Sequence, residues 1–171
     1  MAADISRAMP NAVLFACNFN QVRSPMAEAL LKRVVGNMVF VDSCGLKAPV
    51  VDDDDEYGPA GADPFAQAVM AELGCDLAPH RAKTFGELED SSFDLVVSLT
   101  PEAQHSAVEL ARGRAVEIEY WPTLDPTLTE GSREVRMAAY RQVRDALARR
   151  IAERFGPHNP TPIDLARTGA L

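Results

Sequence analysis

The sequence predicts an α/β fold of three layers, in which a four-stranded parallel sheet lies between helices. Four short segments rich in Val, Ile, Leu and Phe alternate with longer segments whose apolar residues recur at helical spacing. Strands that alternate with helices bury a common core when the sheet is parallel and both of its faces are covered. The predicted strands are 12–16, 38–42, 93–99 and 115–120.

Proline and glycine mark where the predicted helices are expected to begin and end. The first helix is expected to begin at Ser24, shortly after the first strand, and to end before Gly36. Aspartate and proline at the start of 63–74 indicate a capped second helix, and Thr100 followed by proline indicates a third. The fourth and longest helix is predicted over 133–155. Its expected buried stripe consists of Val135, Ala139, Val143, Leu147, Ile151 and Phe155.

The length and composition of the chain favour one domain. It has 171 residues, of which 47% are hydrophobic, and this is enough apolar material for one continuous core. We therefore expect a domain at 11–155, an N-terminal extension at 1–10 and a C-terminal tail at 156–171. The acidic segment 51–61 is interpreted as a solvated loop, because consecutive carboxylates repel each other and lack the spacing of a calcium loop.

Charge and cysteine usage narrow the classes of partner and the compartment. A net charge of -8 opposes binding to nucleic acid and to anionic lipid. The apolar runs are far shorter than the roughly 20 residues that span a bilayer, and the N-terminus lacks a secretion signal. We therefore expect no membrane association and a cytoplasmic location. Three cysteines, an odd number, suit free thiols in a reducing compartment.

The segment VLFACNFNQVRSPMAEALLKRVV joins a strand to a helix through a loop that contains Cys17 and Arg23. Loop amides and a helix N-terminus that face the same point form a cradle for an anion. Such a cradle also stabilises a thiolate, which can attack phosphorus. The planar guanidinium of Arg23 can bind two phosphate oxygens, and Ser24 can donate its hydroxyl to the sulfur. The pattern predicts phosphomonoester hydrolysis through a phosphocysteine.

Within this segment, CNFNQVRSPMAEAL resembles the active-site loop of the low-molecular-weight protein tyrosine phosphatase family. Three further segments, VDSCGL, GADPFAQAVMAELGCDLAPHRAKTF and WPTLDPTLTEG, resemble later parts of the same family, so the resemblance covers 11–155. It implies the phosphotyrosine phosphatase I-like fold. It also implies a hydrolase that acts on a phosphorylated protein, a protein phosphatase for phosphotyrosine, or on a small phosphomonoester, without a cofactor or a metal.

The resemblance also implies roles for individual residues. Cys17 becomes the nucleophile, Arg23 the phosphate ligand and Asn20 the residue that keeps the loop in shape. Asp125, which precedes a proline, becomes the general acid, and a proton donor to the leaving group is what this chemistry needs in any case. His80 is implied to support Asn20. The predicted phosphate-binding loop consists of Asn18, Phe19, Asn20, Gln21, Val22 and Ser24, beside Cys17 and Arg23.

Two departures from the family pattern keep alternatives open. Phe19 stands where the family usually has glycine, and Thr127 stands where a tyrosine beside the phosphotyrosine ring is usual. One alternative is therefore a regulatory protein that binds phosphate with little turnover. Another is an arsenate reductase, but thioredoxin-coupled reductases of this fold use two further cysteines, and 98–125 contains none. Cys44 and Cys75 are instead expected to face the core.

Overall fold

A computed structural model of the protein describes residues 8–49, 60–89 and 92–156. Most of the N-terminal extension lies outside the described residues. The same holds for the acidic segment 51–61, apart from its last two residues, and for the tail 156–171, apart from its first. The interpretation of these segments as a solvated loop and as terminal extensions therefore stays a prediction.

The sheet has four parallel strands, as the sequence predicts. They are β1 Ala12–Cys17, β2 Phe40–Gly45, β3 Leu95–Ser98 and β4 Glu117–Tyr120. Their order across the sheet is β2-β1-β3-β4, so β1 lies inside the sheet and the chain leaves it first towards β2 and later towards β3. In sheets of this kind the loops at the carboxyl ends diverge where the strand order reverses, and ligands bind in the crevice between them. Cys17 is the last residue of β1.

Four helices cover the two faces of this sheet, which confirms the three-layer arrangement. They are α1 Arg23–Val35, α2 Pro64–Ala71, α3 Pro101–Ala111 and α4 Arg133–Phe155. Asp63 caps α2 by accepting hydrogen bonds from two backbone amides, and Thr100 caps α3 by accepting one, from the amide of Ala103. Both caps precede a proline at the first helical position, where a missing N–H costs nothing.

The core is divided by the sheet. Val13, Phe15 and Cys17 point to the face covered by α1, α2 and α4, where the larger apolar cluster lies. Leu14 and Ala16 alternate with them and point to the face covered by α3. Among the described helices, none combines the length and apolar character that crossing a bilayer takes.

The predicted stripe on α4 is wrong at its start. Val135 is 51% exposed and Ala139 is only half-buried, whereas Met137 and Tyr140 are buried in their place. The reason is geometric, because each step of four residues rotates about 40° around a helix with 3.6 residues per turn. Over five such steps the row turns by about 200°, so a strict four-residue row that is buried at Phe155 is exposed at Val135.

The second strand begins two residues later than predicted. Met38 and Phe40 are apolar, but Met38 is 85% exposed and belongs to the turn that follows α1. Its backbone amide donates to the carbonyl of Val35 at 3.1 Å, which ties it to the helix rather than to β1. Pairing with β1 starts at Phe40 and extends to Gly45, beyond the predicted end.

Candidate active site

Residues 17–24, named the Cys17 loop from here on, connect β1 to α1. Cys17 is buried at the carboxyl end of β1, and α1 begins at Arg23, so five residues reverse the chain direction. The N-terminus of α1 therefore lies directly beside the thiol. Unpaired amides and the helix dipole make such a terminus favourable for an anion.

Asn20 is the centre of the hydrogen bonds that shape the Cys17 loop. It is fully buried and has a positive φ of 56°, a left-handed conformation that asparagine adopts more readily than most residues. Its Nδ2 donates to Ser24 Oγ at 2.8 Å and to Ser43 Oγ at 2.9 Å, while its Oδ1 accepts from the Lys83 amide at 3.0 Å. Because all of these partners are inside the fold, they hold one loop conformation.

Ser24 connects this network to the thiol. Its Oγ lies 2.9 Å from Cys17 Sγ and 3.4 Å from the carbonyl of Cys44. Because Asn20 donates to Ser24, the single proton of the hydroxyl is left for two acceptors, the sulfur at 2.9 Å and the more distant carbonyl of Cys44 at 3.4 Å. A thiolate has no proton to give, so in that state Ser24 is the donor and Cys17 the acceptor.

Gly45 lets the Cys17 loop lie against the end of β2. A Cβ added there would lie 2.8 Å from the Asn20 amide nitrogen and 2.9 Å from both Asn18 O and Phe19 C. These are backbone atoms, which cannot give way without moving the loop. The amides of Leu46 and the residue after it also donate to Asn18 O, at 2.9 and 3.0 Å.

His80 contacts the loop from the segment that follows α2. Its Nε2 lies 2.8 Å from the backbone oxygen of Asn20, and because a carbonyl only accepts, this nitrogen carries the hydrogen. Burial lowers the pKa of His80, and the bond to Asn20 opposes this only in part. A neutral imidazole with its proton on Nε2 therefore fits both observations.

Three other residues shape the site, although sequence reasoning gave them no role in it. Thr100 caps α3 and also donates its hydroxyl to Asn18 Oδ1 at 2.7 Å. Ser43 donates to Glu28 at 2.6 Å while accepting from Asn20. The third residue is Gly45, for which a sequence signal exists, since a glycine at a strand end marks close backbone approach.

Arg23 joins the Cys17 loop to the segment that contains Asp125. Its Nη1 donates to the carbonyl of Thr123 at 3.1 Å, and its Nη2 lies 3.8 Å from Asp125 Oδ2. The Asp125 side chain is 30% exposed and accepts from the Thr127 amide at 3.0 Å and from its hydroxyl at 2.6 Å. The fold thus brings together the thiol, a guanidinium and a carboxyl.

The remaining loop residues lie around this centre. Phe19 is half-exposed, and its φ is negative, so the ring is accommodated without left-handed backbone. Gln21 donates to the carbonyl of Gly61 at 3.2 Å, and Val22 is buried. Within 8–49, 60–89 and 92–156, no group of three or more His, Cys, Asp and Glu residues is arranged to hold a metal ion.

These features define an α/β protein with a cysteine in a loop suited to binding an anion. The chain belongs to the low molecular weight phosphotyrosine protein phosphatase family, whose model matches residues 12–155. This confirms the resemblance seen in the sequence and supports phosphatase chemistry for the family as a whole.

The names of individual relatives describe two different activities, arsenate reduction and protein tyrosine dephosphorylation. The chain is 30% identical to an arsenate reductase of Halalkalibacterium halodurans, over 81% of this chain and 91% of that protein. It is 32% identical to a low molecular weight protein-tyrosine-phosphatase of Streptomyces coelicolor, over 72% and 74%. The crystal structure of the low molecular weight protein tyrosine phosphatase from T. tengcongensis is similar with a TM-score of 0.66 and 25% identity, over 83% of this chain and 95% of that one.

Proposed function

We propose that this protein is a metal-independent phosphomonoester hydrolase that acts through a phosphocysteine at Cys17, with phosphotyrosine in proteins as its leading substrate class. The observation that carries the proposal is the convergence of three groups. A buried thiol lies 2.9 Å from a serine hydroxyl, beside an arginine that also approaches the carboxyl of Asp125 at 3.8 Å. A site that only bound phosphate would need neither the nucleophile nor the acid.

In the first step the Cys17 thiolate attacks phosphorus in line with the leaving group. The S–P bond forms as the P–O bond breaks, and the departing oxygen takes the electron pair of that bond and a proton from the Asp125 carboxyl. Arg23 and the amides of the Cys17 loop hold the phosphoryl oxygens while their charge redistributes.

In the second step water replaces the enzyme sulfur. The Asp125 carboxylate takes a proton from the water as its oxygen attacks phosphorus, the S–P bond breaks, and inorganic phosphate leaves. The departing thiolate again accepts the hydrogen bond of Ser24, which lowers the cost of releasing it as an anion. One carboxyl therefore serves as acid and then as base.

Phe19 supports an aromatic leaving group. Its ring is half-exposed and lies only two residues beyond the nucleophile, so apolar surface is available near the site. Burying that surface against a substrate ring is favourable, whereas a phosphoserine offers no ring to bury. A phosphotyrosine peptide is therefore the substrate to compare first with the same peptide carrying phosphoserine.

Arsenate reduction is the second candidate, favoured by the similarity to the H. halodurans enzyme. The placement of the other thiols favours the phosphatase. Cys44 lies on the opposite face of the sheet from Cys17, and burial, followed by nearby Cys17, raises the pKa of its thiol. Cys75 contacts Arg33 of α1. Arg33 is ten residues, or about 15 Å along the helix, from Arg23, so Cys75 is distant from the Cys17 loop.

The test is hydrolysis of para-nitrophenyl phosphate in EDTA by wild type, Cys17→Ser and Asp125→Asn. Cys17→Ser should be inactive, and Asp125→Asn should lower kcat on the order of 100-fold. Cys75→Ser and Glu130→Gln, which change a distant thiol and a neighbouring exposed carboxyl, are matched controls that should retain activity.

Two other results would redirect the assignment. If the folded wild type binds phosphate but neither forms a phosphoenzyme nor turns over, the protein is a phosphate-binding regulator. If arsenate instead drives NADPH consumption in the presence of thioredoxin and its reductase, and Cys44→Ser or Cys75→Ser abolishes this, the reductase assignment replaces the hydrolase.

A further inference from the structure

A cavity of about 730 Å³ lies between α4 and the segment 121–129, which carries Asp125. No residue of the Cys17 loop lines it, but Thr123 and Asp125 do, so the cavity adjoins the candidate active site on the far side of the segment 121–129. Arg23 contacts Thr123 and Asp125 of this segment, whereas the cavity opens where the segment faces α4. Its volume lies within the range that small organic ligands occupy in proteins, roughly 300–1,000 Å³.

The walls of the cavity are mainly apolar. Trp121, Val143 and Leu147 line it as buried side chains, and Leu124 and Leu128 line it from the segment 121–129. These two leucines are 84% and 77% exposed, which is unusual for large aliphatic side chains that have a cavity beside them. A ligand with an apolar body would cover them and remove that surface from water.

One cation defines the charge of the cavity. Arg150 lines it with its guanidinium 5.2 Å from the centre of the Trp121 ring, and it makes no ion pair with any described residue. By contrast, Arg154, one turn further along α4, pairs with Glu119 at 2.8 Å. The acidic lining residue, Asp125, lies beside Arg23. Because Arg150 has no ion-pair partner among the described residues, its guanidinium is complementary to an anion.

We propose that this cavity binds a small organic anion, a carboxylate or sulfonate with an apolar or aromatic body. The anionic group pairs with Arg150, whose planar guanidinium matches a carboxylate, and the body lies against Trp121 and Leu147 beneath the two exposed leucines.

A ligand bound in this cavity would also affect Asp125, the candidate general acid. Asp125 caps the turn Pro126–Leu128, and this turn packs against α4 at the edge of the cavity. A bound ligand that covers Leu124 and Leu128 restricts the same segment and so changes protonation of the leaving group. This second part rests on the proposed hydrolase function, whereas binding itself does not.

The first experiment is a fluorescence titration of the full chain with 8-anilinonaphthalene-1-sulfonate, an anion with an aromatic body. Saturable binding to wild type is expected, weakened about tenfold in Arg150→Gln because one charge-assisted hydrogen bond is lost. Arg150→Lys should restore part of the affinity. Arg149→Gln, which removes the neighbouring exposed charge outside the cavity, should bind like wild type; equal weakening in both Gln variants would overturn the proposal.

Filling the cavity is the second experiment. Ala146→Trp places a large ring in it and should abolish the titration, whereas Ala138→Trp, on an exposed part of α4 outside it, should not. In wild type, 4-phenylbutyrate should displace the probe and 4-phenylbutylamine, with the same body and the opposite charge, should not. Displacement by both compounds would contradict the assignment to a small anion. A lower sedimentation coefficient of Ala146→Trp than of wild type would also contradict it, because the cavity would then be a contact between two copies of the chain.

Hydrolysis measured with and without 4-phenylbutyrate tests whether a ligand in the cavity changes protonation of the leaving group by Asp125. The compound should change kcat for phenyl phosphate more than for para-nitrophenyl phosphate, because the poorer leaving group depends more on Asp125. An equal effect on both substrates would rule out action through the acid. If no phosphoester is hydrolysed at all, the proposed function fails, while the fluorescence titrations still decide the binding site.

Discussion

The two regions that meet at Arg23 are held in different ways. Side chains that are themselves buried hold the Cys17 loop, with Asn20, Ser24 and Ser43 forming one network. The segment 121–129 is more exposed, and Asp125 is held mainly by its own turn, through two hydrogen bonds from Thr127. Burial makes each lost hydrogen bond expensive in the first region, while solvent can replace lost partners in the second.

This difference in burial suits the different roles proposed for the two regions, phosphate binding by the Cys17 loop and proton transfer by Asp125. A phosphate cradle works best when its donors already point at the phosphoryl oxygens, so that no energy is spent on orienting them. A general acid has to meet leaving groups of different size and then an incoming water. Placing the acid on a less buried segment, tied to the loop through Arg23, gives it a defined position without fixing it in the core.

The largest effect should come from closing the space that the Cys17 loop occupies. Gly45→Ala places a methyl group within 3 Å of three backbone atoms and displaces the loop. Activity towards para-nitrophenyl phosphate should fall on the order of 100-fold, since displacements of about 1 Å have that cost. Gly86→Ala, whose added methyl has its nearest neighbour at 3.9 Å, is the control. Equal activity of the two variants would contradict the tight contact.

Removing the centre of the network should cost stability. Asn20→Ala removes three hydrogen bonds from the interior of the loop, to Ser24, Ser43 and the Lys83 amide, so the free energy of unfolding should fall by about 3 kcal/mol in urea titrations. Asn20→Gly relieves the positive φ and should recover only about 1 kcal/mol of this loss. Gln21→Ala, which removes one partly buried bond to Gly61, should cost less than about 1 kcal/mol. Full recovery in the glycine variant would mean that backbone strain, not hydrogen bonding, matters at this position.

A smaller effect is expected on the other side of Arg23. Thr127→Val keeps the shape of the side chain but removes its hydroxyl bond to Asp125, so kcat for phenyl phosphate should fall about threefold to tenfold. Stability should change little because the site is exposed. Thr129→Val alters a nearby threonine that makes no bond to Asp125 and serves as control. A loss as large as that of Gly45→Ala would show that both regions are equally constrained.

The smallest effect concerns pH. Because burial lowers the pKa of His80 below 6.5, the unfolded chain takes up its proton more readily than the folded one. The contribution of His80 to stability is therefore complete above about pH 6.5 and declines as the pH falls below it. His80→Gln keeps an N–H donor for Asn20 but does not titrate.

Urea unfolding at about pH 7.5 and about pH 5.5 measures this contribution. Wild type should lose more stability on acidification than His80→Gln. The exposed His105, on α3, provides the comparison, and His105→Gln should keep the wild-type pH dependence. If His80→Gln and His105→Gln show the same pH dependence, protonation of His80 does not oppose folding.

Local features were predictable from the sequence. The apolar segments, the Asp-Pro and Thr-Pro caps and the strand-to-helix transition at Cys17 each depend on neighbouring residues, and the fold class follows from their alternation. The ends of elements were less predictable. Met38 is apolar but is tied to Val35, and a four-residue row on α4 does not stay on one face.

Contacts between distant residues could not be derived from patterns. The bond from Thr100 to Asn18 joins residues 82 positions apart, and nothing in a helix-capping motif indicates that the same hydroxyl also reaches another loop. The approach of Asp125 to Arg23 was expected only because the sequence resembles a family. Such contacts depend on how strands are ordered in the sheet, which no single segment encodes.

The positions of the Asn20 partners along the chain determine the order in which they are synthesised. Ser24, Ser43, His80 and the Lys83 amide all lie within the first half of the sequence, whereas Thr123 follows Arg23 by 100 residues. A ribosome therefore delivers every partner of Asn20 before it delivers the carboxyl of Asp125. The acid segment therefore joins a loop whose central asparagine already has all of these partners in the synthesised chain.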